Sequence, residues 1–187
     1  RGHPETGGGQ GPGMVNLPDG RLFFVMRTFA GNPYWTQSRD DGQTWSAPRV
    51  LWRKDGGEPL RHPLSPCPIF DVGGNTAGSG RYVLFIHNHD GHYRDYTPAD
   101  SSLHRRPIYR VTGRFQTDAE QPVWFDEPRF FMDHDGIPLG PPEKRGRLDL
   151  ALYSSFTLRN GTAVLWYPDR KFFLLGKRLQ PEQWFAP

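Results

Sequence analysis

Apolar and polar residues alternate along short runs of this chain, and turn residues separate each run from the next. A period of two residues is typical of β-strands, in which successive side chains point to opposite faces of a sheet. The first four runs are residues 12–17, 21–28, 33–40 and 45–52. Pro18-Asp19-Gly20 joins the first two runs, because Pro presets φ and Gly accepts a positive φ. We therefore predict a four-stranded antiparallel sheet over residues 12–52.

The same pattern recurs twice further along the chain. The second set of predicted strands is 67–72, 81–88, 106–115 and 127–132, and the third is 149–158, 162–168 and 171–179, without an outermost strand. Repeated four-stranded units of this length are typical of the blades of a β-propeller. We predict an all-β antiparallel protein with three blades, at about 12–52, 65–132 and 149–187. A single β-sandwich is the competing all-β interpretation.

The composition agrees with an all-β fold. The chain has 187 residues, which is enough for one large β unit, and 14% of them are aromatic against 35% hydrophobic overall. Large flat side chains suit the packing of one sheet on another. The 22 Gly and 19 Pro residues fall between the apolar runs, so long helices are not expected.

The charge and the apolar stretches narrow the range of partners. The formal charge is +3 and the pI about 9.2, and Arg far outnumbers Lys. Converging arginines would suit an anionic ligand, but no basic run resembles a nucleic-acid footprint, so nucleic acid is not predicted as a partner. No apolar stretch approaches the roughly 18 residues of a membrane-spanning helix, and no membrane partner is predicted.

Cys67 is the single cysteine, so the chain forms no intrachain disulfide and the redox compartment stays open. Its neighbours are proline and apolar residues. They favour a buried strand residue over a nucleophile.

The stretch "SRDDGQTW" (38–45) lies between two predicted strands of the first sheet. Asp40 can accept hydrogen bonds from the backbone amides that follow it, and Gly42 can supply the positive φ of a tight bend. Trp45 is expected to pack as a wedge against the neighbouring sheet. The stretch resembles the Asp-box of sialidases and other BNR-repeat proteins, at every defining position. That resemblance implies a β-propeller.

Three further segments resemble sialidases in the same order along the chain. "MVNLPDGRLFFVMRT" resembles the hairpin whose second strand ends in one arginine of the sialidase triad, here Arg27. "FIHNHDGHYRDYTPADSSLHRRPIYRVTG" resembles the segment of the third triad arginine, here Arg106 or Arg105. "LALYSSFTLRNGTAVLWYP" resembles the segment of the tyrosine nucleophile, here Tyr153. The resemblance implies that the chain is the C-terminal half of a six-bladed propeller.

The resemblance implies a glycosidase that acts on an acidic sugar. Arginines would hold the sugar carboxylate, since the guanidinium fork matches two oxygens and is always charged. A neutral tyrosine is not repelled by that carboxylate, unlike the carboxylate nucleophiles of most glycosidases. The family also has a glutamate that activates the tyrosine. Here Gln10, Gly11 and Pro12 stand where it is expected, and Glu5 lies further upstream.

Several other polar residues are candidates for the same site. Asp169 could replace the family glutamate that orients an arginine, and the adjacent Arg170 is a candidate for substrate binding. The alternative is that Asp169 is only a turn residue between two strands. His87, His89 and His92 could contact a sugar hydroxyl or act as acid or base. A metal site at these histidines would lack carboxylate or thiolate ligands, so no metal ion or cofactor is predicted.

Three hypotheses of function remain open. The first is a sialidase-like exo-glycosidase that holds an acidic sugar or glycan with Arg27 and Arg106 and places Tyr153 at the reacting centre. The second is a polysaccharide lyase that uses Tyr153 with His87 or His89. The third is a non-catalytic carbohydrate-binding propeller.

A half-ring would expose sheet edges. We therefore expect the chain to pair with a missing N-terminal half or with a second copy of itself. The sequence leaves the compartment open, and the resemblance favours a secreted or periplasmic protein.

Overall fold

The structure of the protein is a computed structural model. It describes residues 10–73, 78–87, 105–133, 137–138, 147–148, 153–169 and 173–185. Across these ranges the fold is all-β, every strand pair is antiparallel, and the helical content is one 3-10 turn at Pro181–Trp184. The predicted all-β antiparallel class is therefore confirmed. None of the described residues form a helix long and apolar enough to cross a membrane.

The first sheet has four strands in the order of the chain. They are β1 (Gln10–Asn16), β2 (Leu22–Arg27), β3 (Tyr34–Ser38) and β4 (Arg49–Val50). The turn after β1 closes with a hydrogen bond of 3.0 Å from Gly20 N–H to the Leu17 carbonyl, and Gly20 has a φ of 85°. Only glycine adopts that φ without strain, which is why the predicted Pro-Asp-Gly hairpin forms here.

The bend after β3 is held by its own side chains. The Asp40 carboxylate accepts hydrogen bonds from Thr44 N–H at 2.8 Å and from Thr44 Oγ1 at 2.6 Å. These two bonds and a third from Ser38 hold the pKa of Asp40 down at about 2. Gly42 has a φ of 86°, as the turn requires. Trp45 differs from the prediction: its ring packs on Phe24 of its own sheet, at 5.4 Å between centroids, and stays 40% exposed.

The second sheet has five strands. They are β5 (Ile69–Asp71), β6 (Arg81–His87), β7 (Ile108–Phe115), β8 (Val123–Phe125) and β9 (Arg129–Met132). The outer edge of β7 pairs with β8 at one end and with β9 at the other. Sequence patterning predicted one outer strand, at 127–132, and missed β8. The split follows from Pro128, which has no N–H to donate between the two short strands.

The third sheet has three strands, as expected for a set without its outermost member. They are β12 (Ser155–Arg159), β13 (Thr162–Asp169) and β14 (Phe173–Leu179). The turn between β12 and β13 uses positive φ at Asn160 and Gly161. A separate pair, β10 (Ile137–Pro138) and β11 (Arg147–Leu148), precedes this sheet.

The three sheets pack in sequence through two apolar cores. One core lies between the first and second sheets and includes Phe23, Trp35 and Leu84. The other lies between the second and third sheets and includes Phe85 and Leu165. Each sheet therefore buries a face against the next one along the chain, as layered β folds require.

The first strands of the three sheets are neighbours. β1 approaches β5 so closely that a Cβ on Gly13 would lie 2.6 Å from the backbone nitrogen of Ile69. Phe70 of β5 stacks on Phe156 of β12 with 5.6 Å between ring centroids. A cavity of about 370 Å³ opens among these strands. This arrangement is compatible with a propeller, and the blade count stays a prediction.

Candidate functional site

Three side chains from distant parts of the chain meet at one place. Arg27 Nη1 and Arg105 Nη1 each donate a hydrogen bond of 3.4 Å to Tyr153 Oη. The Arg105 guanidinium also lies over the Tyr153 ring, 5.6 Å from its centroid. Two fixed positive charges thus converge on one phenol, in an arrangement suited to an anion.

Each sheet contributes one of these side chains. Arg27 is the last residue of β2, Arg105 lies three residues before β7, and Tyr153 lies two residues before β12. Strands fix where these ends lie, so residues at strand ends are positioned by the cores behind them. The site is therefore a product of how the three sheets pack.

The two arginines change the chemistry of the tyrosine. Partial burial acts to raise the pKa of Tyr153, but hydrogen bonds from Arg27 and Arg105, together with their charges, outweigh it. The net effect is a lowered pKa, because the arginines stabilise the phenolate. Tyr153 remains 53% exposed, whereas Arg105 is 8% exposed. The Tyr153 residue is thus accessible to a ligand, and its phenol is easier to ionise than that of an ordinary tyrosine.

A buried hydrogen-bonded group lies near the arginines. His87 N–H donates to His62 Nδ1 at 3.0 Å, so the His62 proton is on Nε2, which donates to the Ser65 carbonyl at 2.6 Å. Ser65 Oγ bonds His87 Nδ1 at 2.9 Å. Burial, and to a lesser degree the charges of Arg27 and Arg105, lower the pKa of His62 to about 4. His62 is therefore neutral at ordinary pH.

Sequence reasoning missed His62 and Ser65, and it placed His87 in a different setting. His87 is fully buried, so its ring is closed to a sugar hydroxyl, and its Nδ1 bonds Ser65 Oγ instead. The sequence around His62 is a proline-rich loop with no motif. Only the burial of that loop against β6 identifies it.

Of the two adjacent arginines, the structure brings Arg105 to the tyrosine. Arg106 instead forms a two-pronged ion pair with Asp133, with Nε–Oδ1 2.8 Å and Nη2–Oδ2 2.9 Å. We expected Arg106 to meet Arg27 and Tyr153. In the structure Arg105 takes that position instead.

The remaining predicted site residues have less defined places. Asp169 ends β13, and β12 begins opposite Trp166, so Asp169 and Tyr153 lie at the same end of the third sheet. Burial raises the pKa of Tyr167, and the charge of Asp169 adds to that rise. The other candidates lie outside the described residues: Glu5, His89, His92 and Arg170.

The expected position of the activating glutamate can be located on the backbone. Gln10 pairs with Arg27 across β1 and β2, at the end of the sheet where the site lies. A glutamine has no negative charge to accept a proton, so Gln10 cannot act as the base of Tyr153. The two arginines remain as the groups that lower the tyrosine pKa.

Cys67 takes no part in this chemistry. It is fully buried, and burial raises the pKa of its thiol to about 12. The thiolate is the reactive form of cysteine, so this thiol is unreactive, as its apolar neighbours predicted. The predicted strand position is wrong, because Cys67 lies two residues before β5. Among the described residues, no group of three or more His, Cys, Asp or Glu side chains could hold a metal ion.

Comparison with known proteins relates the fold to sialidases. No protein-family model and no curated protein sequence matches the chain. Among the solved structures that match is the intramolecular trans-sialidase from Ruminococcus gnavus in complex with oseltamivir carboxylate, with a TM-score of 0.61 and 17% identity. The match covers 100% of this chain and 36% of that chain, so this chain spans about a third of its neighbour. The likeness shows a sialidase-like fold.

Proposed function

We propose that the protein binds an acidic sugar through Arg27 and Arg105, with Tyr153 at the reacting centre of a glycosidase-like site. The observation that supports this most is the pair of 3.4 Å hydrogen bonds from the two arginines to Tyr153. A carboxylate bound there would accept charge-assisted hydrogen bonds from two guanidinium groups, and such bonds are stronger than those between neutral groups. The sialidase-like fold agrees with this substrate class.

The lowered pKa of Tyr153 supports a role beyond binding. A phenol with a lowered pKa forms the nucleophilic phenolate more readily. In its protonated form it is neutral and, unlike a carboxylate, does not repel the sugar acid. The arginines would thus serve twice, by holding the sugar carboxylate and by favouring the phenolate. This double role would partly offset the absence of a glutamate at Gln10.

The first experiment measures binding. Calorimetry would compare N-acetylneuraminic acid and glucuronic acid with their methyl esters, which keep the sugar and remove the charge. We expect the acids to bind and the esters to bind much more weakly. Arg27→Ala and Arg105→Ala should each abolish that preference, and Arg159→Ala is the matched control because Arg159 is exposed and is the last residue of β12, at the end of the strand away from Tyr153. Equal affinity for acid and ester in the wild-type protein would refute the proposal.

The second experiment separates a hydrolase from its alternatives. We expect release of the free sugar from sialosides or uronides, lost in Tyr153→Phe. Unsaturated products that absorb in the ultraviolet would identify a lyase instead. Binding with no turnover of either kind would favour a carbohydrate-binding protein, which the glutamine at position 10 supports.

A further inference from the structure

A second pocket lies between the outer part of the first sheet and the loop that precedes β8. Its volume is about 300 Å³, and none of its lining residues belongs to the Arg27–Arg105–Tyr153 cluster. Trp52, which is 39% exposed, forms one wall. The other lining residues that could contact a ligand are Trp35, Arg49, Asp55 and Glu120. We call it the Trp52 pocket. The volume is at the lower end of the range for small-molecule sites and suits a single sugar ring.

The walls of the Trp52 pocket are cross-linked. Gln121 is nearly fully buried; its Nε2 donates to the Trp52 carbonyl at 2.6 Å and its Oε1 accepts from Trp52 N–H at 2.8 Å. The Asp55 carboxylate accepts the backbone N–H groups of Gln121 and Glu120 at 3.0 and 2.9 Å. The backbone of Trp52 is therefore fixed to the loop before β8, so the walls of the pocket keep their positions before any ligand arrives, which reduces the entropy that binding would cost.

The polar groups of the pocket are arranged around aromatic surface. The Arg49 guanidinium lies over the Trp35 ring, 5.9 Å from its centroid, and forms an ion pair with Glu120. Arg49 and Glu120 are both largely exposed, so their remaining donors and acceptors face solvent. The pocket thus combines an exposed indole with one guanidinium and two carboxylates.

We propose that the Trp52 pocket binds a neutral pyranose. The C–H face of such a ring is apolar and would lie on the Trp52 indole, while its hydroxyls would bond to Arg49, Glu120 and Asp55. One positive and two negative side chains leave the pocket with an excess of negative charge, which opposes an acidic sugar. The Trp52 pocket and the arginine site would then accept different sugars, and this inference does not depend on the proposed function.

The test follows the indole N–H signal of Trp52 by NMR, identified as the signal lost in Trp52→Phe. We expect methyl β-galactopyranoside or methyl β-glucopyranoside to shift that signal saturably, and methyl β-glucuronide to leave it unchanged. Trp52→Ala should weaken binding of the neutral sugar by roughly tenfold or more. Trp166→Ala is the matched control, because Trp166 is also 39% exposed but lies on the third sheet.

Either of two results would overturn the proposal. One is the absence of any shift of the Trp52 signal with both neutral glycosides in the wild-type protein, a measurement that needs no variant to fold. The other is an equal shift with the glucuronide, which would make the pocket indifferent to charge. Failure of the arginine site to bind acidic sugars would not change either result, because both are read from the Trp52 signal.

Discussion

Arg27 and Tyr153 are separated by 126 positions in the sequence, and a hydrogen bond of 3.4 Å joins their side chains. The bond spans the first and third sheets, so it forms only when both pack on the sheet between them. Arg105, from that middle sheet, reaches the same oxygen. The convergence of three sheets on one phenol is the feature from which the account of function follows.

The first prediction concerns the ionisation of Tyr153. The folded protein lowers the pKa of this residue through Arg27 and Arg105, so Arg27→Ala or Arg105→Ala should raise it. The measurement is a pH titration of ¹³C-labelled tyrosine rings, with the Tyr153 signal assigned by Tyr153→Phe. Arg159→Ala should leave the titration unchanged. A Tyr153 pKa that is the same in all these proteins would show that the arginines do not act on it.

The second prediction concerns acid stability. His62 has a pKa of about 4 in the folded protein against 6.5 ordinarily, so the unfolded chain binds the proton first as pH falls. As the pH falls from about 6.5 to about 4, the free energy of unfolding should therefore decrease. His62 should account for about 3 kcal/mol of that decrease at about pH 4. Urea unfolding at several pH values measures it. His62→Gln should reduce this slope, and an unchanged slope would contradict the buried neutral state.

The third prediction concerns the contact of β1 with β5. A Cβ on Gly13 would lie 2.6 Å from the Ile69 nitrogen and 3.0 Å from its Cγ2, so Gly13→Ala must push the two strands apart. We expect a loss of about 1–3 kcal/mol in the free energy of unfolding. Met14→Ala, at an exposed neighbouring position, is the control and should cost far less. Equal losses in the two variants would mean that β1 and β5 are not in tight contact.

The fourth prediction concerns association. The third sheet exposes a group of large apolar side chains: Trp166, Phe173, Leu174 and Leu175. Exposed apolar groups of this kind usually mark a contact surface, so we predict that a second copy of the chain or another chain covers them. Light scattering should show association that Leu174→Glu weakens. A monomer at all concentrations, equally stable with and without the substitution, would contradict the prediction.

Features with local causes could be predicted from the sequence. The bend after β3 follows from Ser38, Asp40, Gly42 and Thr44, which lie within seven residues of one another and bond among themselves. The hairpin before β2 follows from its Pro-Asp-Gly turn for the same reason. Arg27 is a candidate through the resemblance of its hairpin to that of sialidases, since an arginine at the end of a strand would otherwise be interpreted as a surface residue.

Features that depend on how distant segments pack could not be predicted from the sequence. Arg105 and Arg106 are adjacent in a segment before a proline, and the sequence gives no sign of which one faces Tyr153 and which one pairs with Asp133. His62 belongs to a loop whose burial depends on β6, so its link to His87 is invisible along the chain. The Trp52 pocket likewise needs Gln121, from 69 residues away.

The measurement that tests the central claim most directly is a double-mutant cycle on the two arginines. Calorimetry would give the affinity of N-acetylneuraminic acid for the wild-type protein, Arg27→Ala, Arg105→Ala and the double variant. If both guanidinium groups hold one carboxylate, each single change should weaken binding by roughly tenfold or more. The double change should then cost clearly less or more than the sum of the two, since the residues act on the same group. Strictly additive effects, or affinity unchanged by either substitution, would contradict the shared anion site.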